Sequence, residues 1–253
     1  MIGTPLPALA RRCVFAIVLA ALPAASWAQP PAPTPCAIPD DLVLRDVRLP
    51  AAREAMARDK VLTILTLGGA HTAGDTAEGK SATYPARLEA QLATDLPGVR
   101  VSVVNEAVPN QTARDMAPRL PGLIEKTGAR LVIWAPGGRD VALQLDPAAF
   151  RDAIAAGIAA SRRGGADLIL IDPTFVPSPA RMASIGPYRD RLRAAASAAW
   201  VPLLPRHEMM LRWSKDGTLN LEARDPAEQT RVARALFACV ARSLAVPIAA
   251  ALR

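Results

Sequence analysis

The sequence predicts an α/β fold in which a five-stranded parallel sheet forms the core of a single domain. Five short apolar runs alternate with longer segments that have the residue spacing of helices. This alternation is typical of parallel sheets that are covered by helices on both faces. Hydrophobic residues make up 51% of the chain and charged residues 21%, which is a globular composition.

The first 28 residues have the pattern of a secretory signal peptide. Arg11 and Arg12 form a positive segment, Val14–Leu22 is apolar, and small residues at Ser26 and Ala28 mark a cleavage site after Ala28. The apolar run is shorter than the ~20 residues that span a bilayer, which favours a cleaved signal over a retained anchor. No second long apolar run was recognised, so we expect a periplasmic or secreted protein without stable membrane insertion after cleavage.

Residues 29–35 form a proline-rich segment, Gln29–Pro35, which predicts a stiff, extended linker. Residues 36–253 remain for the folded part, and this length suits one domain with a sizeable core. The sequence shows no internal repeat. We therefore expect one domain after the linker.

The net charge is positive but does not indicate nucleic acid as a partner. Removal of Arg11 and Arg12, the two charged residues of the signal segment, lowers the formal charge from +7 to +5. A basic protein outside the cytoplasm meets anionic lipids and polysaccharides, not chromosomes. A base-composition bias toward Ala and Arg codons explains the charge equally simply, and we favour that explanation.

Two cysteines, Cys36 and Cys239, remain after cleavage, and they lie near the two ends of the domain. An even number of cysteines in an oxidising compartment predicts a disulfide. The alternative is a pair of unrelated buried thiols.

The secondary-structure elements follow from apolar patterns and from their boundaries. The predicted strands are Val61–Leu67, Val99–Asn105, Leu131–Ala135, Asp167–Ile171 and Val201–Leu204. The predicted helices are Tyr84–Leu96, Thr112–Lys126 with a break at Pro121, Pro147–Arg163, Tyr188–Ala199, and a last helix that is capped by Asp225 and runs to about Ala249.

Functional sites in parallel sheets lie at the carboxyl ends of the strands. Three segments follow predicted strands directly, namely Gly68–Gly74, Asn105–Thr112 and Gly137–Asp140. We expect their residues to meet at one rim of the sheet.

These segments carry a resemblance to the SGNH (GDSL-type) hydrolases. The run Gly68–Gly74 resembles the family's Gly-Asp-Ser-Leu-Thr-x-Gly block, and Val103–Asn105 with Asn110–Thr112 resembles its second block. Leu131–Trp134 with Gly137–Asp140 resembles the third block, which is normally Gly-x-Asn-Asp. The resemblance extends from about Val61 to Ala249 and implies a flavodoxin-like three-layer sandwich.

The resemblance also implies that the catalytic residues are replaced. The nucleophilic serine falls on Ala70, the oxyanion-hole glycine on Asn110 and the oxyanion-hole asparagine on Arg139. The register between Lys215 and Ala233 is uncertain, but no histidine follows His207 in the sequence. The serine-histidine pair of the family is therefore missing.

Relocated catalysis and metal chemistry are the alternatives. His71 has Thr72, Asp75 and Ser81 nearby in sequence, but a hydroxyl and a base must come within ~3 Å of each other to act together. His207 is expected to be a surface or packing residue. Two separated histidines and two paired cysteines leave few metal ligands, so no metal and no cofactor is expected.

The candidate ligand-binding residues are Gly69, Ala70, His71, Asn110, Arg139 and Asp140. Arg139 places a permanent charge where the family has an amide, and a guanidinium suits a carboxylate, phosphate or sulfate group. The alternative, which we favour from sequence alone, is that Arg139 pairs with Asp140 or Asp115.

We therefore expect an exported protein without catalysis that binds an anionic or acylated envelope glycan or a small ligand. The second hypothesis is an active esterase or acetyl hydrolase that uses non-standard residues.

Overall fold

A computed structural model of the chain describes residues 1–3, 36–74 and 82–253. The predicted linker and cleavage site lie outside the described residues, as does all of the predicted signal peptide beyond residue 3. Asp75 and Ser81 also lie outside them. Thr34–Arg253 forms one compact unit, and the following description concerns that unit.

The sheet has five parallel strands in the order β2-β1-β3-β4-β5. The strands are β1 (Val61–Gly68), β2 (Arg100–Asn105), β3 (Leu131–Ala135), β4 (Asp167–Ile171) and β5 (Leu203–Leu204). The predicted five-stranded parallel sheet is confirmed. The last strand is two residues long instead of four, since it pairs only with the last two residues of β4.

Both faces of the sheet are buried. In β3, Leu131 and Ile133 pack into one apolar cluster, and Val132 and Trp134 pack into the other. Strands that are covered on both faces read as continuous apolar runs. This explains why the strands could be recognised in the sequence.

The helices cover the two faces and connect the strands. They are α1 (Pro50–Asp59), α2 (Ala70–Ala73), α3 (Tyr84–Asp95), α4 (Ala113–Met116), α5 (Leu120–Thr127), α6 (Gly138–Ala142), α7 (Pro147–Arg163), α8 (Pro179–Ser184), α9 (Gly186–Ala198), α10 (Arg206–Lys215) and α11 (Pro226–Leu252).

The predicted helix Thr112–Lys126 is divided into three pieces. Between α4 and α5, a 3₁₀ turn spans Ala117–Arg119. Pro118 and Pro121 each begin a new piece, because proline has no N–H to continue the preceding helix. The sequence analysis placed the break at Pro121 and missed the one at Pro118.

Helix α11 begins as predicted and is more apolar than the sequence analysis recognised. The Asp225 carboxylate accepts a hydrogen bond from the Glu228 N–H at 2.9 Å. The helix is long and apolar enough to cross a membrane by length and composition alone, but 67% of an apolar 18-residue stretch within it is buried in the domain. It packs against α3 and α1, which is the environment of a core helix.

The predicted disulfide between Cys36 and Cys239 is present and joins the start of the domain to α11. The two Cα atoms are 5.1 Å apart. The Trp213 indole N–H donates to the Ala37 carbonyl oxygen at 3.0 Å. The segment before α1 is thus fixed to both α10 and α11.

Gly157 of α7 is predicted to tolerate no side chain. A Cβ atom there would lie 2.2 Å from the Trp134 ring, which is fully buried. We expect Gly157→Ala to lower the free energy of unfolding by ~1–3 kcal/mol through overpacking. Gly122→Ala in α5 is the matched control, since its Cβ would meet nothing within 4 Å. Urea unfolding that shows equal or higher stability for Gly157→Ala would contradict this packing.

Loss of the disulfide is predicted to destabilise the domain. The bridge closes a separation of 203 residues, which corresponds to about 5 kcal/mol in the chain-entropy model. The double variant Cys36→Ser/Cys239→Ser should therefore unfold at a lower temperature than wild type. Reductant should lower the melting temperature of wild type and leave that of the double variant unchanged. Thiol labelling of unreduced native protein at both cysteines would show that the bridge is absent.

Candidate functional site

A cavity of ≈ 220 Å³ lies at the carboxyl ends of the strands. Each strand contributes a residue from the segment that follows it. These residues are Ala70 after β1, Asn110 after β2, Arg139 after β3, Thr174 after β4 and His207 after β5. The parallel sheet thus brings together the three positions that the sequence analysis assigned to the former catalytic site.

Ala70 is the first residue of the short helix α2, which is held in place by contacts of Thr72 with Tyr84 and Asn105. Thr72 is buried, and its Oγ1 lies 3.5 Å from the Tyr84 hydroxyl oxygen. The Asn105 side-chain amide donates to the Thr72 carbonyl oxygen at 2.7 Å. Ala70 itself lines the cavity and contributes only a methyl group there.

The turns after β2 and β3 place Asn110 and Arg139 in the cavity wall. Asn110 has a φ of 64°, a left-handed conformation that asparagine adopts more readily than most residues. Gly137 has a φ of 96°, and a Cβ there would lie 2.8 Å from Pro173. A glycine is therefore required directly before α6, the helix that carries Arg139.

The expected pairing of Arg139 with a neighbouring acid is wrong. The Asp140 carboxylate accepts hydrogen bonds from the Ala113 N–H at 3.2 and 3.1 Å. Asp115 is held by Thr112 in a capping box at the start of α4. Among the described residues Arg139 has no ion pair, and its buried Nε has no hydrogen-bond partner.

Asp140 does not line the cavity, unlike Gly69, Ala70, His71, Asn110 and Arg139. It is buried below the rim, where desolvation raises the pKa of its carboxyl group. Its contact with Ala113 joins α6 to the start of α4. The structure therefore gives Asp140 a structural contact in place of the expected ligand contact.

Arg206 and His207 are buried residues of the cavity wall. Both residues are 6% exposed. The Asp172 carboxylate accepts the His207 backbone N–H at 2.7 Å and the Arg189 Nε–H at 3.2 Å. The Arg206 Nε–H donates to the Asp172 carbonyl oxygen at 3.1 Å. His207 also packs edge-on against Phe175.

The two histidines of the cavity are neutral at pH 7. Burial, together with the positive charges of Arg189, Arg193 and Arg206, lowers the pKa of His207 to about 4. His71 is open to solvent on one side, but the protein around it and the charge of Arg206 also lower its pKa. The imidazole nitrogens therefore act as neutral donors or acceptors.

The charged side chains that line the cavity are all positive. Arg139, Arg181 and Arg206 line it, and the described lining residues include no carboxylate. They also include no serine, cysteine or lysine, and Thr174 supplies the one hydroxyl side chain among them. The lining therefore offers cationic donors and little nucleophilic chemistry.

The sequence analysis missed Arg206 and Thr174 and assigned His207 to the surface or to packing. A signal for all three was present, since each lies within three residues of the end of a strand. The rule that located Gly68–Gly74 also applies to these two strands. Arg181 on α8 had no such signal, because only the fold brings α8 next to α6.

The fold and the sequence agree on the class of protein. The α/β sandwich with its five-stranded parallel sheet is that of the SGNH hydrolases, a fold of lipases and esterases. Residues 35–253 match the non-GDSL lipase-like family. The chain belongs to this family. Comparison with curated proteins gives no match.

Solved structures with the same fold include proteins named as a lipase/acylhydrolase and as an acetyl xylan esterase. The lipase/acylhydrolase from Enterococcus faecalis has 22% identity and a TM-score of 0.58, over 73% of this chain and 96% of the other. TesA has 22% identity and a TM-score of 0.55, over 72% and 99%. The acetyl xylan esterase AlAXEase has 14% identity and a TM-score of 0.58, over 71% and 100%. At these identities the similarity concerns the fold.

His207 is predicted to make the protein less stable in acid. The folded pKa of about 4 lies below the ordinary value of 6.5. Its contribution to stability is therefore complete above pH ~6.5 and is lost as the pH falls from there to 4. Between pH 7 and pH 4, wild type should lose ~1–3 kcal/mol more unfolding free energy than His207→Gln.

His71→Gln is the control for that experiment, and urea unfolding at several pH values is the measurement. Burial by the surrounding protein lowers the pKa of His71 to about 4 as well, but its side chain is open to solvent, so water should screen its charge and its contribution should be smaller. If wild type and His207→Gln lose stability in parallel, His207 titrates at its ordinary pKa in the folded protein.

Proposed function

We propose that this protein is an exported member of the lipase-like family that binds a ligand without hydrolysing esters. Its place is the cell envelope, and the ligand carries a polysaccharide or acyl group. The observation that carries the proposal is the methyl group of Ala70 in the cavity, at the position that corresponds to the nucleophile.

The chemistry of ester hydrolysis explains why this replacement matters. A covalent mechanism requires a hydroxyl or thiol that is activated by a base within hydrogen-bond reach. Thr174 is the only hydroxyl side chain among the described lining residues. His207 has a pKa of about 4 and is a weak base at neutral pH. The oxyanion-hole positions carry Asn110 and Arg139 in place of the family's residues.

Two features support export. The first 28 residues have the composition of a signal peptide. The bridge between Cys36 and Cys239 suits an oxidising compartment. These two features together support a periplasmic or secreted location.

An active esterase with non-standard residues is the second candidate. It is favoured by the presence of His71, His207 and Thr174 in one cavity, which provides two imidazoles and one hydroxyl group. Similar solved structures are also esterases by name. In this case His207 would act as the base for Thr174 or for a water molecule.

Esterase assays distinguish the two candidates. With p-nitrophenyl acetate and p-nitrophenyl butyrate we expect wild type to show no turnover above the buffer rate. Ala70→Ser should not produce an efficient enzyme, because a serine without a positioned base is mostly unactivated at neutral pH. Spectrophotometric release of p-nitrophenol is the measurement.

The controls are His207→Ala, His71→Ala and Thr174→Ala. Turnover by wild type that any of these variants abolishes would establish catalysis in the cavity, and the binding proposal would then be wrong.

A mature N-terminus other than Gln29 in the periplasmic fraction would contradict the assigned cleavage site.

A further inference from the structure

We propose that the cavity binds an oxyanion, a carboxylate or a phosphate, attached to an apolar body, and that Arg206 and Arg139 hold it. This inference rests on the proposed binding function and specifies its ligand class. It depends on three independent observations, which concern Arg206, two unpartnered nitrogen atoms and the walls of the cavity.

Arg206 is a buried cation that makes no direct salt bridge among the described residues, although it lies close enough to Asp172 for the two charges to interact. It is 6% exposed, and its Nε–H donates to the backbone carbonyl of Asp172. The carboxylate of Asp172 is instead engaged by the His207 backbone N–H and by Arg189. A buried charge is costly unless it is paired and hydrogen-bonded. An anion in the cavity would supply the missing partner.

Two other nitrogen atoms at the cavity are buried and unpartnered. They are Nε of Arg139 and Nδ1 of His207, and both residues line the cavity. Buried polar atoms in folded proteins nearly always have a hydrogen-bond partner. Arg181 donates from Nη1 to the Gly138 carbonyl oxygen at 3.2 Å and is partly exposed. Arg206 is buried and, among the described residues, uses only its Nε–H, so its Nη groups, together with Nε of Arg139, are the buried donors left for a ligand.

The walls of the cavity define the rest of the ligand. Apolar side chains of Met116, Val141 and Ile185 line it. Val176 and Met182 also line it and are exposed to solvent by 37% and 52%. Such walls favour an anion that carries an apolar body over a bare hydrated ion. A short-chain carboxylate combines both features.

Isothermal titration calorimetry on the purified full chain tests the inference. The first pair of probes is butyrate and 1-butanol, which differ in the carboxylate. The second pair is galacturonate and galactose, and inorganic phosphate is tested alone. We expect butyrate to bind and 1-butanol not to bind. Galacturonate or phosphate binding tighter than butyrate would show that the apolar body is assigned wrongly.

Variants locate the binding groups. Arg206→Met and Arg139→Met should each weaken butyrate binding by ~10-fold or more, because each removes a charged donor to the anion. Arg163→Met is the matched control, since Arg163 is exposed at the end of α7 and is not a cavity residue. It should leave the affinity unchanged. If Arg206→Met does not fold, the half-buried Arg139 decides the outcome.

The outcomes separate this inference from the proposed function. If none of the anions binds, or if Arg139→Met and Arg163→Met bind butyrate equally well, the inference is wrong. Binding of galactose or 1-butanol would still support a binding protein, but with a neutral ligand. Turnover in the esterase assay would overturn the proposed function even where anion binding depends on the two arginines.

Discussion

The burial of both faces of the sheet is the constraint on which the rest of the structure depends. Leu62 and Ile64 of β1 pack on one side, and Leu65 and Leu67 pack on the other. Helices must then cover both faces, so each strand is followed by a crossover and all strands run parallel. Their carboxyl ends consequently meet at one edge. The cavity is the place where the five following segments come together.

The burial of both faces of the sheet also determines which elements could be predicted from the sequence. Strands β3 and β4 were predicted to the residue, because buried parallel strands are continuous apolar runs. Strand β5 has only two residues, which is too short for a continuous apolar run. Helix α8 has no buried residue, so its sequence lacks the apolar spacing that predicts a helix. Ala70 and Arg139 were predicted from the sequence as site residues, and both line the cavity. The lack of an ion pair at Arg139 was not predicted, since it depends on Asp140 being bound to Ala113.

Asp172 connects the stability of the site to its charge. Its carboxylate joins α9, through Arg189, to the first turn of α10, through the His207 N–H. The carboxylate is thereby fully engaged in holding two helices on the end of β4. Arg206 donates a hydrogen bond only to the backbone carbonyl oxygen of Asp172. Anchoring the rim with Asp172 thus leaves the adjacent guanidinium near the charge of Asp172 but without a carboxylate in direct contact.

Under the proposed binding function, the excess of cations in the cavity is consistent with an alanine at position 70. An esterase gains rate only from interactions that are stronger in the transition state than in the ground state, and its oxyanion exists only transiently. Permanent cations in the cavity, such as Arg139 and Arg206, also stabilise a carboxylate, which is the product of ester hydrolysis. A cavity that retains this product would turn over slowly even with a serine at position 70. In the proposed function, the charge that opposes catalysis is the same charge that favours binding, so Ala70 and Arg139 would both serve the binding of an anion.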